Sequence, residues 1–504
     1  MNFLENLLAG FSAAVAGPGI PVMIAGVAWG TIGGAIPGIS GAVAMSLALP
    51  YTLSLDAATA LVMLAGVWAG ANYGGSIPAI LMRMPGTPGA AAALFDGYEL
   101  KRQGLAAKAL GVSLVCGTIG GLISVVVLIA LVVPLGNVVL AFGSPEVFAL
   151  ALFGLTLLAG LTERSFLKGL ASGYFGLLLT TVGIDTLTGS LRFTFGRSEL
   201  LSGLDIVSVM VGLFAVSEML VQIAHPSRRE AVPEGNAYTA FPTLAELRSV
   251  WRATVVGTVV GLIVGIMPGA GATASSFVAY NEARRWSKRP DLFGKGSMEG
   301  VAAPETANNA VQGGDLVPTL ALGIPGSNSA AIMLAALILH GIVPGPFLLN
   351  KHTHLVFTLF AGLILVNLLM IPVGLVILRG CLLVLRLDRP VLIAAILAMI
   401  VIGTYAADLF LLNPLLALFF GVVGYGMRRY GFSPAAAVLG LVLGFLVESE
   451  LRRSLLISYG SWTIFVVRPI SAVLLALTLG AVLYPAVMYL RSRQHAQAAG
   501  AGLS

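Results

Sequence analysis

Four Pro-Gly dipeptides and their small polar neighbours are where this sequence can do chemistry. Pro37-Gly38 is followed by Ser40 and Gly41, and Pro85-Gly86 by Thr87. Pro268-Gly269 is followed by Gly271 and Thr273, and Pro325-Gly326 by Ser327, Asn328 and Ser329. Proline removes a backbone N–H and interrupts a helix, while glycine admits conformations closed to other residues. A helix restarting after such a break offers free N–H groups at the positive end of its dipole, a seat for an anion. The hydroxyl and amide side chains would add donors to that seat. They would equally cap the restarted helices, and the two roles are compatible.

A second set of polar residues interrupts otherwise apolar sequence. Asn72 and Ser76 flank Tyr73-Gly74-Gly75, Asp315 follows Gly313-Gly314, and Asn308 and Asn309 lie in the stretch that also holds Glu305. A hard monovalent cation prefers such oxygen ligands, so Asn72, Ser76 and Asp315 are candidates for coupling-ion contact. Asn308 and Asn309 are candidates for substrate contact. A hydrogen-bond network between helices is the plainer alternative. Arg83 could clamp an anion, but a snorkelling interfacial arginine is the favoured reading. His352 and His354 have no evident third ligand and read as loop residues. Cys116 and Cys381 read as small core residues, with no metal site.

The elements that position these residues repeat within the chain. Gly26, Gly30 and Gly34 lead to Pro37-Gly38 as Gly257, Gly261 and Gly265 lead to Pro268-Gly269, at an offset of 231. The run Asn72 to Pro78 with Pro85-Gly86 matches Val311 to Pro318 with Pro325-Gly326, at an offset of 239 and then 240. Glycines four residues apart make a smooth face for close helix approach. Paired, Gly/Pro-interrupted segments in two halves of a chain point to a transporter binding site at mid-membrane.

Composition sets the medium. Of 504 residues, 58% are apolar and 10% charged, against roughly 25% charged in soluble domains. Mean hydropathy is +0.96. Soluble enzymes and nucleic-acid binders are thereby excluded, and the net charge of +6 belongs to loop Lys and Arg rather than to a nucleic-acid surface. Glycine, at 62 residues, is about 12% of the chain against roughly 7% on average. Apolar stretches between residues 20 and 488 give about ten to thirteen transmembrane helices, with the short ones counted in pairs as half-helices.

The fold class expected is an all-α polytopic membrane protein in two homologous halves. The repeats are taken as inverted, with Pro-Gly-broken helices or re-entrant hairpins at the midplane. The halves are residues 1–224 and 253–490, joined by a polar linker at 225–252 and followed by a tail at 491–504. Phe3 to Ala16 reads as an interfacial or short membrane helix, retained because Met1 to Gly10 has no positive charge and contains Glu5. With Arg284–Lys295 inside, Arg379, Arg386, Arg389, Arg428, Arg429, Arg491 and Arg493 also fall inside, which makes the C-terminus cytoplasmic. Arg452 and Arg453 violate this rule, beside Glu448 and Glu450.

The motifs resemble the large membrane subunit of the tripartite tricarboxylate transporter family. The resemblance rests on Pro37-Gly38-Ile39-Ser40-Gly41, Pro268-Gly269-Ala270-Gly271, Tyr73-Gly74-Gly75-Ser76, Pro85-Gly86-Thr87 and Asp96-Gly97-Tyr98. It extends through Gly300 to Ala310, with Pro304-Glu305 and Ala307-Asn308-Asn309, to Leu322-Gly323-Ile324-Pro325-Gly326-Ser327. It implies a bacterial inner-membrane permease working with a small four-helix membrane subunit and a periplasmic solute-binding protein. Its substrates would be di- and tricarboxylates or related organic anions, imported by symport with a sodium or proton gradient and without a cofactor. Arg83 departs from the pattern, where a small polar residue is expected.

Other classes are weaker. A channel, or a stand-alone anion permease, is the alternative, but an intrachain repeat of broken helices suits alternating access better. No HExxH, no G-x-S-x-G elbow and no P-loop occurs in the sequence, so an intramembrane enzyme or a primary pump is not expected. An elevator-like displacement of the broken-helix block is the expected motion.

Overall fold

Long apolar runs, punctuated by Pro and Gly, fold into helices throughout this chain. The computed structural model describes residues 3–36, 39–135, 142–160, 166–185, 189–225, 242–267, 271–345 and 347–483. The predicted tail at 491–504 and most of the linker at 225–252 lie outside them. In chain order the helices are α1 (Phe3–Val15), α2 (Gly19–Ala35), α3 (Gly41–Thr52), α4 (Ala57–Met82), α5 (Leu94–Arg102) and α6 (Ala106–Leu135). They continue as α7 (Ser144–Gly160), α8 (Phe166–Leu179), α9 (Ile206–Val211) and α10 (Ser217–Ala224), the last two joined by a π-turn at Gly212–Val216. Next come α11 (Leu244–Ile266), α12 (Gly271–Trp286), α13 (Met298–Leu322), α14 (Asn328–Leu339) and α15 (Leu348–Lys351). The remainder are α16 (Thr353–Arg386), α17 (Arg389–Asp408), α18 (Leu412–Arg429), α19 (Pro434–Ile457), α20 (Ile464–Val467) and α21 (Pro469–Leu483). A two-residue antiparallel pair, β1 (Gly183–Ile184) with β2 (Leu191–Arg192), is the strand content of the described residues.

The chain is an all-α polytopic membrane protein. Among the described residues, five helical segments are long and apolar enough to cross a membrane alone: Ala106–Val132, Ile206–Ala224, Leu244–Ile266, Thr353–Leu385 and Pro434–Ile457. The pair α1 and α2 qualifies together, bent by 75°. Two long helices fall outside this group for a chemical reason. Asn72 and Ser76 interrupt α4, and Glu305, Asn308, Asn309, Gln312 and Asp315 interrupt α13. The apolar helices α3 and α14 have only 12 residues each. At 1.5 Å per residue these are about 18 Å long, short of a hydrocarbon core of about 30 Å.

One compact unit comprises Met1–Asn137 with Asp205–Gly426. Two helix pairs dominate it. In the first, Gly26, Gly30 and Gly34 of α2 abut the backbones of Met63, Val67 and Ala71 of α4. In the second, Gly257, Gly261 and Gly265 of α11 abut Ala303, Ala307 and Val311 of α13 in the same manner. Both pairs advance in register, so each is parallel. The chain must therefore return between the partners, and the short α3 and α12 make the return. The Trp29 indole N–H, donating to the Ala44 carbonyl (3.0 Å), fastens α3 to α2.

The helices α4 and α13 also meet each other. Ser76 touches Glu305, Asn72 touches Asn308, and Gln312 donates to the Ala65 carbonyl (3.1 Å). Position falls along one helix as it rises along the other, so α4 and α13 pass antiparallel. Their C-termini share a left-handed cap, Arg83 at φ 52° and Gly323 at φ 71°, with the following N–H groups of Met84 and Ile324 returning to the Pro78 and Pro318 carbonyls. Glycine takes that conformation freely, but arginine does not. Arg83→Gly is expected to raise stability by about 1 kcal/mol in thermal unfolding of the solubilised protein, because the strain goes and the exposed side chain loses only its stacking on Tyr98. A fall in the unfolding midpoint would show that the Arg83 side chain outweighs the strain.

The other unit comprises Val138–Leu204 with Met427–Ser504. Its centre is α19 packed on α7 and α8. Gly176 of α8 abuts the Ala437 backbone of α19, and Gly440 of α19 abuts the Gly173 backbone of α8. This unit also accounts for the misplaced positive charge at Arg452. Its guanidinium holds Asp185 through two bonds (3.0 and 2.9 Å) and Glu448 at 2.6 Å, while Arg192 holds Glu448 at 2.7 Å. Arg453 pairs with Glu450 at 2.9 Å. Both arginines that run against the expected charge rule are thus ion-paired.

Candidate functional site

Where the broken helices restart, their ends meet in pairs across the two halves. The start of α3 lies beside the start of α14: a Cβ placed on Gly41 would be 3.5 Å from the Ser329 hydroxyl. The turn after α4 lies beside the start of α12: a Cβ on Gly89 would be 3.1 Å from the Ala272 side chain and would strike the Asn308 amide oxygen. Ser40 caps α3 by accepting from the Val43 N–H (3.3 Å), and Ser327 caps α14 by accepting from the Ala330 N–H (3.2 Å). Two capped helix N-termini side by side concentrate positive dipole ends, the arrangement that receives an anion. Asn328 is exposed and Ser40 and Ser327 are half-buried.

A second set of buried polar groups lies at the ends of α2 and α11. Gly86 packs against the Gly34 carbonyl at the end of α2, and its N–H donates to the Gly75 carbonyl (2.9 Å). Gly326 packs in the same way: a Cβ placed on it would be 3.1 Å from the Gly265 carbonyl oxygen at the end of α11 and would strike Asp315. Asp315 is fully buried, and neither carboxylate oxygen has a hydrogen-bond partner among the described residues. The Ser327 hydroxyl lies beside it without hydrogen-bonding geometry. Thr87, in the turn after α4, is also buried, next to Gly75, and its hydroxyl has no hydrogen-bond partner among the described residues. Pro78 and Pro318 lack the N–H groups that would hold the carbonyls of Gly74 and Gly314. The α2 end with Gly75 and Thr87, and the α11 end with Asp315, are two separate places where helix C-terminal carbonyls lie beside buried polar groups.

Between these places, Asn72 and Asn308 exchange bonds. The Asn72 amide donates to the Asn308 carbonyl (3.2 Å) and the Asn308 amide to the Asn72 carbonyl (3.4 Å), leaving the Asn308 Oδ1 buried and without a hydrogen-bond partner among the described residues. Below them Asp96 of α5 organises the approach to α13. Its Oδ1 accepts from the N–H groups of Gly294, Gly296 and Ser297 (2.9, 2.9 and 2.7 Å), and its Oδ2 from the Tyr280 hydroxyl (2.8 Å). That carboxylate is saturated and is a fastening rather than a ligand site.

With this geometry, comparison with known proteins becomes decisive. Residues 20–439 match the family model described as the tripartite tricarboxylate transporter TctA family. The chain belongs to the TctA family. It is similar to two proteins of Agrobacterium vitis. One, described as an uncharacterized 52.8 kDa protein in the TAR-I ttuC' 3' region, is 36% identical over 494 residues, covering 98% of both chains. The other, an uncharacterized protein in the TAR-II ttuC' 3' region, is 37% identical over 227 residues, covering 45% of this chain and 94% of the relative. No solved structure matches the chain. As a TctA-family member it is a membrane component of a tripartite tricarboxylate transporter.

The predicted site residues of this TctA-family chain fall into separate groups. Ser40, Gly41, Asn328 and Ser329 lie at the paired starts of α3 and α14, with Ser327 between that place and Asp315. Pro85, Gly86 and Thr87 form the turn after α4, and Pro325 and Gly326 the turn after α13. Gly271, at φ 66°, opens α12, and Thr273 is exposed on its first turn. Asn308 joins Asn72, whereas Asn309 bonds back to the Glu305 carbonyl (3.0 Å) and faces Gly117 of α6. Pro37, Gly38, Pro268 and Gly269 lie outside the described residues. The nominated ion ligands do not converge: Asn72 meets Asn308, Ser76 meets Glu305, and Asp315 stands with Ser327. Sequence reasoning missed Ser113, one of two serines in the apolar α6. It noticed Glu305 without assigning it a contact.

Proposed function

We propose that this chain is the permease subunit of an ion-gradient-driven secondary transporter importing di- or tricarboxylates or related organic anions. A periplasmic binding protein delivers the solute, and a small four-helix membrane subunit completes the complex in the bacterial inner membrane, with the C-terminus cytoplasmic. The observation that carries this reading is the pairing of helix starts across the halves, α3 with α14 and the turn after α4 with α12. It supplies positive ends for a carboxylate, while the ends of α2 and α11 with Asp315 supply negative ends for a coupling cation. The antiparallel passage of α4 and α13, the matching helices of the two halves, supports inverted repeats, since a two-fold axis in the membrane plane reverses helix direction. Two short half-helices at one site favour elevator-like movement of the block that carries them.

The test is uptake of labelled di- and tricarboxylates into proteoliposomes. They hold the chain with its small membrane subunit and receive the binding protein outside. Uptake that needs both the binding protein and an inward sodium or proton gradient is the expected result. Uptake independent of both would make the chain a stand-alone permease or channel, and no carboxylate uptake would remove the substrate class.

A further inference from the structure

We propose that Glu305 is a proton site of this chain, separate from the Asp315 site, and that its carboxylate gains and loses one proton in each transport cycle. The cycle part rests on the reading of the chain as a secondary transporter. Glu305 is fully buried in α13. Its Oε2 accepts the Ser76 hydroxyl of α4 (2.6 Å) and the Ser113 hydroxyl of α6 (2.9 Å), while its Oε1 has no hydrogen-bond partner among the described residues. Two helices therefore aim donors at one oxygen and leave the other bare.

The surroundings decide which ion fits. The titratable groups facing Glu305 are the Tyr73 hydroxyl of α4 and the Cys116 thiol of α6, with Cys381 of α16 beside Tyr73. From α5, Asp96 reaches α13 at Gly300 and is saturated by four donors. From α11, Thr254 turns its hydroxyl to Cys116 and Val250. From α12, Ser276 donates to the Pro304 carbonyl (3.3 Å). No Lys, Arg or His pairs with Glu305 among the described residues. An uncompensated carboxylate in such a place is far more costly than the neutral acid. A hard metal cation collects about six oxygens, but here the side-chain oxygens in contact are those of Glu305, Ser76 and Ser113. A proton needs only one. It adds to Oε1, Oε2 keeps both hydroxyl donors, and the site passes from a charge of −1 to 0; release reverses the step. Ser76 stands at the repeat position of Asp315 (offset 239), so matched positions in the two halves serve two different ions.

Infrared spectroscopy of the purified, reconstituted chain during a pH titration tests the protonation directly. Among the carboxylic-acid carbonyl bands that appear on acidification, one component is expected to be present in the wild type and in Asp315→Asn and to be lost only when Glu305 is replaced, in Glu305→Gln. In Ser113→Ala that component should appear at higher pH than in the wild type, because a donor that favours the charged form is lost. This variant serves where Glu305→Gln fails to fold. In proteoliposomes carrying the full complex, wild-type carboxylate uptake should rise with an inward proton gradient, and Glu305→Gln should lose that rise. A set of bands that loses no component in Glu305→Gln and shifts none in Ser113→Ala, or a Glu305→Gln variant that keeps the wild-type response to the proton gradient, overturns the proposal. A wild type that shows the Glu305 band but moves no carboxylate under any gradient overturns the transport reading while leaving the protonation standing.

Discussion

Asp315→Asn is expected to reduce sodium-gradient-driven uptake at least about 100-fold while making the ion-free protein no less stable. The two effects have opposite physical origins. Removing one member of a buried charge pair costs about 3–5 kcal/mol, and each 1.4 kcal/mol is tenfold in affinity, so a cation held by Asp315 is released when the charge goes. Without the cation, however, Asp315 is a buried carboxylate whose two oxygens have no hydrogen-bond partner among the described residues. An isosteric amide is cheaper to bury than that bare charge. The measurement pairs uptake in proteoliposomes with thermal unfolding in sodium-free and sodium-containing buffer. Sodium should raise the wild-type midpoint, as any ligand of the folded state does, and should leave Asp315→Asn unmoved. Uptake at the wild-type level in the variant would remove Asp315 from the cation site.

The second large effect concerns the glycine stripes, where one added methyl should act with opposite sign at different places. A Cβ on Gly30 would strike the Val67 carbonyl oxygen and lie 2.8 Å from the Val67 Cα; on Gly261 it would lie 2.7 Å from the Ala307 carbonyl oxygen. Both obstacles are backbone, which no rotamer change can clear. Gly30→Ala and Gly261→Ala are expected to destabilise the solubilised protein by about 2–3 kcal/mol, the upper range for overpacking. Gly380 of α16 has no atom within 4 Å of its would-be Cβ. Gly380→Ala is expected to stabilise by about 0.5–1 kcal/mol, the helix-interior cost of glycine. Thermal unfolding of the three variants side by side decides the matter. Similar shifts for all three would mean that the stripes do not set the distance between α2 and α4 or between α11 and α13.

The stripes were legible because periodicity is local. Three glycines at four-residue spacing define a helix face without reference to any other part of the chain, and both stripes lie on the faces that their partners approach. Ser40 and Ser327 were legible as caps for the same reason, since a cap acts three residues away. The Glu305 site was not legible as a site. Its two donors, Ser76 and Ser113, lie 229 and 192 residues from it, and nothing in the apolar sequence of α6 marks Ser113. The polar middles of α4 and α13 gave a warning, but the warning did not sort residues into partners. Asn72, Ser76 and Asp315 looked like one ligand set because all three lie beside the repeated Gly-Gly, where Ser76 and Asp315 align. Packing sends them to three different neighbours, because α4 and α13 cross antiparallel and each presents a different residue at each level.

The grouping of α19 with α7 and α8 has a consequence for how the chain is made. About 250 residues separate the end of α8 from the start of α19. At a synthesis rate of about 5–20 residues per second, α7 and α8 wait roughly 10–50 s for their partner. Throughout that interval Gly173 and Gly176 have no α19 backbone to receive them, and lipid or the insertion machinery must cover the bare groove. The last third of the chain is thus a folding requirement of its first half, and a nascent chain stalled before Pro434 carries a helix pair that cannot finish assembling.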